Sequence, residues 1–157
     1  MSGSNSSSIR IAGPADADEV GQLLHDFNCE FGEPTPPPAV LSERIKRLMD
    51  DGQTAVILAG QEPDGVAVLR FRLAIWSKGL ECYLAELYVI PQERGRGLGR
   101  ALMEAAIKHA RERGSDTMEI GVDEPDAAAR ALYESLGFSN RGGGGDGPLM
   151  YVYEREL

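Results

Sequence analysis

The stretch Tyr88-Val-Ile-Pro-Gln-Glu-Arg-Gly-Arg-Gly-Leu-Gly-Arg-Ala-Leu-Met103 predicts a strand that ends, a turn rich in glycine and arginine, and a helix that begins. Its glycines, at 95, 97 and 99, lack the Cβ atoms that would hold a ligand away from the backbone. The first amides of the following helix have no intrahelical acceptor and lie at the positive end of its dipole, so they can bind phosphate oxygens. Three side chains add positive charge to this predicted anion site, those of Arg94, Arg96 and Arg100.

Spacing decides which glycine-rich phosphate loop this turn resembles. The P-loop pattern requires a Gly-Lys-Ser/Thr ending, which is absent, and the dinucleotide pattern Gly-x-Gly-x-x-Gly fails at Arg100. The order Arg94-x-x-Gly97-x-Gly99 resembles the Gln/Arg-x-x-Gly-x-Gly/Ala loop of the GNAT N-acetyltransferases. In that family the loop amides hold the pyrophosphate of acetyl coenzyme A. The alternative is a plain strand-to-helix turn in which glycine serves geometry alone.

A second stretch, Asp126-x-x-Ala129-x-x-Leu132-Tyr133-x-x-Leu136-Gly137-Phe138, is similar to the family's Asn-x-x-Ala-x-x-Leu-Tyr-x-x-x-Gly-Phe. It follows the glycine turn by one predicted helix and one predicted strand, as it does in the family. Asp126 stands where the family usually has Asn, which leaves the cofactor hydrogen bond made there open. The two motifs together imply acetyl-CoA as the cofactor and no metal.

Hydrophobic periodicity predicts the element order β-α-α-β-β-β-α-β-α-β. Asp16 and Glu19 form a predicted capping box for the first helix, whose apolar stripe is Val20, Leu23, Leu24, Phe27 and Phe31. The predicted strands cover residues 9–12, 54–59, 66–73, 81–90, 117–122 and 149–155. This order alone indicates α/β or α+β. The resemblance implies the α/β GNAT fold, a central mixed, mostly antiparallel sheet of roughly six to seven strands flanked by about four helices.

Chain length and charge limit the kinds of protein this can be. The 157 residues suit one domain over 9–157, preceded by a tail over residues 1–8 that is predicted to be disordered. The net charge of −9 disfavours a nucleic-acid surface. An acidic chain with a local arginine cluster suggests an anionic cofactor and a cationic substrate, although net charge can also serve solubility alone.

Neither cysteine content nor hydropathy predicts a metal site or a membrane association. Cys29 and Cys82 are too few for a disulfide framework or a zinc site, and both are predicted to pack as small apolar groups. No segment is long and apolar enough to span a bilayer, and the first eight residues lack the features of a signal peptide. A cytoplasmic protein is therefore expected.

The strand before the turn supplies the predicted base. Strict alternation places Cys82, Leu84, Glu86 and Tyr88 on one face, where Glu86 interrupts an apolar row. An alkylammonium has a pKa of about 10.4, so acetyl transfer to an amine requires a base, and an apolar surrounding would raise the pKa of Glu86 toward a useful value. Many family members place an acid or its bound water at this position. The alternative is a carboxylate in a structural ion pair or at a sheet edge.

Tyr133 is the predicted general acid, because a phenol with a pKa of about 10 stays protonated at neutral pH and can donate to a leaving thiolate. The alternative is a half-buried core tyrosine with a satisfied hydroxyl. In the family the strand also binds the cofactor through its backbone. The residues that the resemblance implies as cofactor contacts are Leu87, Tyr88, Val89, Arg94, Gly95, Arg96, Gly97, Leu98, Gly99, Arg100, Asp126 and Tyr133.

The segment from Phe27 to Thr35 resembles the helix-loop-helix of aminoglycoside 3-N-acetyltransferases, which walls the acceptor site there. The predicted substrate residues are Phe27, Glu30, Phe31, Glu33 and Glu86. Carboxylates there would attract a small cationic amine such as an aminoglycoside or a polyamine, unless they only form a solvated helix face. The resemblance thus implies an N-acetyltransferase moving acetyl from acetyl-CoA to a primary amine, and it suggests a homodimer. A protein or peptide N-acetyltransferase and a non-catalytic acetyl-CoA sensor remain alternatives, and RNA binding by the arginines is disfavoured by the net charge.

Overall fold

The computed structural model describes residues 8–157, so the predicted tail lies outside the described residues except for Ser8. The Ser8 carbonyl accepts a hydrogen bond from the amide of Gly60, the residue after the strand Thr54–Ala59, at 3.0 Å. The chain divides into two compact units, Met1–Ile120 and Gly121–Leu157. One domain over 9–157 stays a prediction.

The first unit contains a five-stranded sheet in the order β1-β2-β3-β4-β5. Strands β1 to β4 pair antiparallel in succession, and β5 lies parallel to β4, which confirms a mixed and mostly antiparallel sheet. The strands are β1 (Ile9–Ile11), β2 (Thr54–Ala59), β3 (Gly65–Leu73), β4 (Leu80–Val89) and β5 (Ser115–Ile120). Three helices accompany them, α1 (Ala17–Glu30), α2 (Pro38–Asp50) and α3 (Leu98–Glu112).

The sheet of the first unit is covered on both faces, as the fully buried strand β2 shows. On one face, Val20 and Leu23 of α1 and Ile45 of α2 pack with sheet residues that include Val68 and Tyr88. On the other face, α3 packs so closely that a Cβ at Gly65 would lie 3.0 Å from Leu102 Cδ1. The α1–α2 pair and α3 therefore approach β4 from opposite sides.

A β-bulge in β4 changes which residues share a face. Val68 pairs with Glu86 and Leu69 with Leu84, so Ala85 is the extra residue. Because Val68 and Leu69 are adjacent and point to opposite faces, Glu86 and Leu84 do so as well. The prediction that Cys82, Leu84, Glu86 and Tyr88 share one face is therefore wrong. Glu86 lies with Tyr88 on the face of α1 and α2, and Leu84 lies with Cys82 on the face of α3.

The predicted capping box does not form at the start of α1. Asp16 precedes the helix, but its carboxylate makes no capping hydrogen bond there. It accepts two hydrogen bonds from Arg10, both at 2.9 Å, and one from the Gly13 amide at 2.9 Å. The guanidinium of Arg10 therefore binds the carboxylate that the local sequence predicts to cap the helix.

The second unit contains α4 (Ala127–Ser135) and a glycine-rich segment after it. The four helices of residues 8–157 agree with the predicted number, whereas the five strands are fewer than the six to seven expected. Residues 149–155 form no strand, and in this part of the chain only an isolated bridge joins Arg141 and Leu149. Alternation and β-propensity favour a strand there, but a strand needs a neighbour to satisfy its backbone.

None of the helices within residues 8–157 is both long enough and apolar enough to cross a bilayer.

Gly21 tests how rigidly α1 packs against α2. A Cβ at this buried position would lie 2.7 Å from Pro38 O and 2.8 Å from Ser42 N, both backbone atoms of α2. Although alanine gains up to about 1 kcal/mol over glycine inside a helix, overpacking costs roughly 1–3 kcal/mol. We expect Gly21→Ala to lower the free energy of unfolding by about 1–2 kcal/mol in urea titrations. Gly13→Ala, where nothing lies within 4 Å, should change little, and a Gly21→Ala protein as stable as the wild type would show that the helix pair yields.

Candidate active site

The turn after β4 presents backbone amides rather than side chains. Gly95 and Gly97 have φ angles of 79° and 82°, in the left-handed region that glycine adopts most readily. Within residues 8–157, the amides of Gly97, Leu98 and Gly99 donate to no protein acceptor, since the helical hydrogen bonds begin with Ala101 N donating to Gly97 O at 3.0 Å. The start of α3 therefore has free donors and the positive end of the helix dipole at one place, which fits an anion.

The edge of β4 that leads into this turn is also free. Strand β5 pairs with β4 only as far as Leu84, opposite Ile120, so among the described strands none pairs with Ala85–Val89 on that edge. The Ile90 amide donates to Asp64 O at 2.9 Å on the β3 side. Because backbone groups alternate along a strand, those of Leu87 and Val89 point to the free edge. An extended ligand can pair there as an added strand would.

Arg94, a predicted cofactor residue, is bound by the protein itself. Its guanidinium forms a two-point ion pair with Glu30 of α1, with both nitrogen–oxygen distances at 2.8 Å, and its Nε donates to Val89 O at 2.9 Å. The Tyr88 hydroxyl donates to the same Glu30 at 3.0 Å. Arg94 therefore ties the end of α1 to the end of β4, and two residues predicted for different ligands, Glu30 and Arg94, contact each other.

Charge and burial shift the pKa values in this Glu30–Arg94–Tyr88 cluster. The hydrogen bonds from Arg94 lower the pKa of Glu30. Burial of Tyr88, together with its hydrogen bond to Glu30, raises the pKa of the phenol to about 12. Glu30 is thus an anion and Tyr88 a neutral donor at neutral pH.

The two other arginines of the turn also have carboxylate neighbours. Arg96 Nη1 lies 2.9 Å from Glu93 Oε2, and Arg100 Nη1 lies 3.9 Å from Glu104 Oε1. The arginine of each pair is exposed to water, where such contacts are weak. Backbone amides are therefore the part of this turn best arranged for an anion.

Glu86 points to the sheet face on which α1 and α2 pack, and the residue is exposed to solvent there. Protein atoms surround enough of its carboxylate to desolvate it, and this raises the pKa of Glu86. No other cause contributes to that shift, so no neighbouring charge fixes Glu86 in an ion pair. A carboxylate with these properties suits proton transfer.

A cavity of about 600 Å³ lies where α1 meets the end of β4. Its lining is Asp26, Cys29, Glu30, Tyr88, Ile90, Pro91 and Gln92. Of the predicted substrate residues, Glu30 lines it, and Phe27 packs against the lining residue Tyr88 with ring centroids 4.9 Å apart and ring planes tilted by 40°. Phe31 lies beyond Phe27 and is exposed, and Glu33 is exposed in the loop after α1. Of the five predicted substrate residues, Glu30 thus lines the cavity and Phe27 contacts the lining residue Tyr88, whereas Phe31, Glu33 and Glu86 are not among its lining residues.

The remaining predicted site residues belong to the second unit. Asp126 caps α4, because its Oδ1 accepts a hydrogen bond from the Ala129 amide at 3.1 Å. Tyr133 is half-buried and packs edge-on against Phe138 at 6.1 Å. Desolvation, aided by the charge of Asp126, raises the pKa of Tyr133, so its hydroxyl stays protonated at neutral pH.

The described residues offer no evident metal centre, because residues 8–157 contain no group of three or more His, Cys, Asp or Glu side chains placed to hold an ion.

The family model described as the acetyltransferase (GNAT) family matches residues 20–138. The chain belongs to the GNAT acetyltransferase family. A mycothiol acetyltransferase of Thermobispora bispora is 48% identical over 131 residues, which cover 80% of this chain and 39% of that protein. This GNAT chain therefore spans well under half the length of such relatives. A bovine thialysine N-epsilon-acetyltransferase is 30% identical over 141 residues, which cover 82% of both chains.

Solved structures agree with the GNAT fold. A protein of Arthrobacter sp. FB24, known from a crystal structure, superposes with a TM-score of 0.88 over 100% of both chains at 44% identity. An aminoglycoside acetyltransferase from an uncultured soil metagenomic sample, solved with sisomicin, has a TM-score of 0.76 and covers 96% of both chains. Its identity is 19%, so this likeness shows the fold alone.

Glu30→Gln tests the ion pair with Arg94. Because the folded pKa of Glu30 is lowered, the stability from this pair is present above the unfolded value near 4.5 and is lost as pH falls through the folded value. We expect Glu30→Gln to cost about 0.5–1 kcal/mol at neutral pH and nothing at a pH below both values. Urea unfolding at both pH values measures this. Glu43→Gln, which breaks an exposed pair with Arg47, is the control, and a cost for Glu30→Gln that persists in acid would contradict the ion-pair account.

Proposed function

We propose that this GNAT chain transfers the acetyl group of acetyl-CoA to a primary amine on a small cationic substrate. The observation that carries the proposal is the occurrence of free backbone groups on both sides of one turn, at Leu87 and Val89 before it and at the amides of Gly97, Leu98 and Gly99 after it. A chain of amides ending in a diphosphate needs the same sequence of partners, first strand-like pairing and then anion donors. Acetyl-CoA supplies the activated acetyl group when it is bound.

The backbone of β4 would hold the extended arm of the cofactor. Because Arg94 Nε already donates to Val89 O, the groups left for pairing are the Leu87 amide and carbonyl and the Val89 amide. Arg94 then marks where strand pairing ends and phosphate binding begins. An amide of this strand directed at the thioester carbonyl would stabilise negative charge that develops on its oxygen.

Glu86 would act as the general base and Tyr133 as the general acid. Glu86, whose pKa is raised, would accept a proton from the substrate ammonium directly or through a water molecule, and the neutral amine would then attack the thioester carbonyl. Tyr133 stays protonated and would donate to the sulfur of the leaving thiolate. The motif resemblance, not geometry, supports Tyr133, because its unit is separate from the one that contains Glu86.

Carboxylates at the cavity favour a cationic acceptor. Asp26 lines it beside Glu30, whose charge Arg94 offsets, and an adjoining hollow of about 330 Å³ adds Glu19, Glu62 and Asp64. The similar proteins are named as acetyltransferases of mycothiol, of thialysine and of aminoglycosides, which are different molecules, and we propose only the class of small amines from them. Aminoglycosides and polyamines are the first candidates.

A thiol-release assay tests the activity. The protein is mixed with acetyl-CoA and a panel of aminoglycosides, polyamines, amino acids and lysine-containing peptides, and free thiol is followed. Release with a small amine supports the proposal, and release with peptides alone would favour a protein acetyltransferase. Cofactor binding without thiol release for any amine would indicate a sensor module.

Gly97→Ala tests the amide turn, and Gly114→Ala is its matched control. Both glycines flank α3, have φ angles of 82° and 89°, and have nothing within 4 Å of an added Cβ. Each substitution should therefore cost a similar strain of about 1–2 kcal/mol. We expect Gly97→Ala alone to weaken acetyl-CoA binding in calorimetry, by roughly tenfold or more. Equal cofactor affinity in the two variants would remove the turn from the site.

The pH dependence of kcat/KM tests the two proton carriers together. We expect a bell-shaped profile, because Glu86 must be ionised and Tyr133 protonated. Glu86→Gln should abolish the rise on the acid side, and Tyr133→Phe should abolish the fall on the alkaline side while lowering kcat by roughly 100-fold. If the acid-side rise persists in Glu86→Gln, or the alkaline fall persists in Tyr133→Phe, another group carries out that proton transfer. Calorimetry with acetyl-CoA checks that both variants still bind the cofactor.

A further inference from the structure

Cys29 forms a thiol–imidazole pair that the proposed acetyl transfer does not use. Its Sγ lies 3.4 Å from His25 Nε2, one turn earlier on α1. The sequence prediction that Cys29 packs as a small apolar group is wrong, because the residue is exposed. A second thiol, Cys82, is buried as predicted.

A third group fixes the tautomer of His25. Its Nδ1 lies 3.1 Å from Pro36 O, and a carbonyl oxygen can only accept, so Nδ1 carries the hydrogen. In the neutral ring Nε2 then holds the lone pair, and the Cys29 thiol donates to it. A nucleophile beside a base that is itself oriented by a third group is the arrangement that activates cysteines.

The thiol faces a space large enough for a small molecule. Cys29 lines the cavity of about 600 Å³ together with Asp26 and Glu30. Arg94 offsets the charge of Glu30, whereas Asp26 receives only a neutral donor, Gln22, at 2.8 Å. The adjoining hollow contributes Glu19, Glu62 and Asp64, so a molecule that approaches Cys29 meets net negative charge.

We propose that Cys29 is a modification site that undergoes thiol–disulfide exchange with small cationic disulfides. His25 Nε2 takes the thiol proton, and the Cys29 thiolate attacks one sulfur of the disulfide. A new bond joins Cys29 to that sulfur as the old sulfur–sulfur bond breaks. The second sulfur leaves as a thiolate and takes the proton from the imidazolium, so Cys29 is oxidised and half of the disulfide is reduced. The adduct occupies the cavity.

Cys82 provides an internal control for this proposal. It is 1% exposed, and burial raises the pKa of its thiol to about 11. A folded protein should therefore react at Cys29 and leave Cys82 untouched. Reaction at Cys82 reports unfolding in any variant.

The experiment compares two disulfides of similar size and opposite charge, cystamine and dithiodiglycolate, on the full chain. Mass spectrometry follows adducts at each cysteine, and each rate is divided by that of a free model thiol with the same disulfide. The variants are Cys29→Ser and His25→Asn, in which the Asn amide can still donate toward Pro36 O but supplies no base. We expect a single adduct at Cys29, faster with cystamine than with dithiodiglycolate at low salt. His25→Asn should slow it about tenfold or more.

Each outcome decides the proposal in one direction. Adduct formation at Cys29 that depends on His25 and prefers the cation supports it. Equal rates in wild type and His25→Asn, with Cys82 unreactive in both, would overturn it. Reaction at Cys82 before Cys29, or no adduct under conditions in which the protein stays folded, would also overturn it. If Cys82 becomes reactive in His25→Asn, that variant is unfolded, and the wild-type protein alone decides. Faster reaction of Cys29 with cystamine than with dithiodiglycolate then supports the proposal, and equal rates overturn it. The test needs neither acetyl-CoA nor an amine, so it is independent of the proposed function.

Discussion

The free edge of β4 is the constraint on which the rest of the candidate site depends. Strand β4 pairs with β3 along its whole length, whereas β5 stops opposite Leu84. Five residues, Ala85–Val89, thus remain with backbone groups that no described strand satisfies on that edge. Unsatisfied backbone groups are costly when buried, so a sheet keeps such a gap only where water or a ligand fills it.

The bulge at Ala85 adds a second consequence to this gap. By inserting one residue, it turns Glu86 away from Leu84 and Cys82 and toward the face that α1 and α2 cover. The side of the sheet that packs on α3 stays apolar, and the carboxylate reaches solvent on the other side. A strand without the bulge would place Glu86 against α3, where a carboxylate would be buried without a partner.

Sequence reasoning predicts what depends on local pattern. The glycine turn, the helices around it and four of the long strands follow from periodicity and from glycine positions, and the structure has them within a few residues. It fails where a residue outside the motif competes for the same group. Arg10, six residues before Asp16, binds the carboxylate that is predicted to cap α1. Glu30 binds Arg94 of the turn, and no spacing rule reports a partner 64 residues away. The bulge is likewise invisible, because alternation in the sequence continues through Ala85.

The pairing of Arg94 with Glu30 also changes how the turn should bind an anion. Had the three arginines been free, side-chain charge would dominate, and affinity would fall steeply with salt. Each of the three instead has a carboxylate neighbour, so the net charge near the turn is small. What remains is the row of amides and the dipole of α3, which act at short range and in fixed directions. The proposed site would thus select by the shape of its ligand, an extended arm that ends in an anion, more than by charge alone.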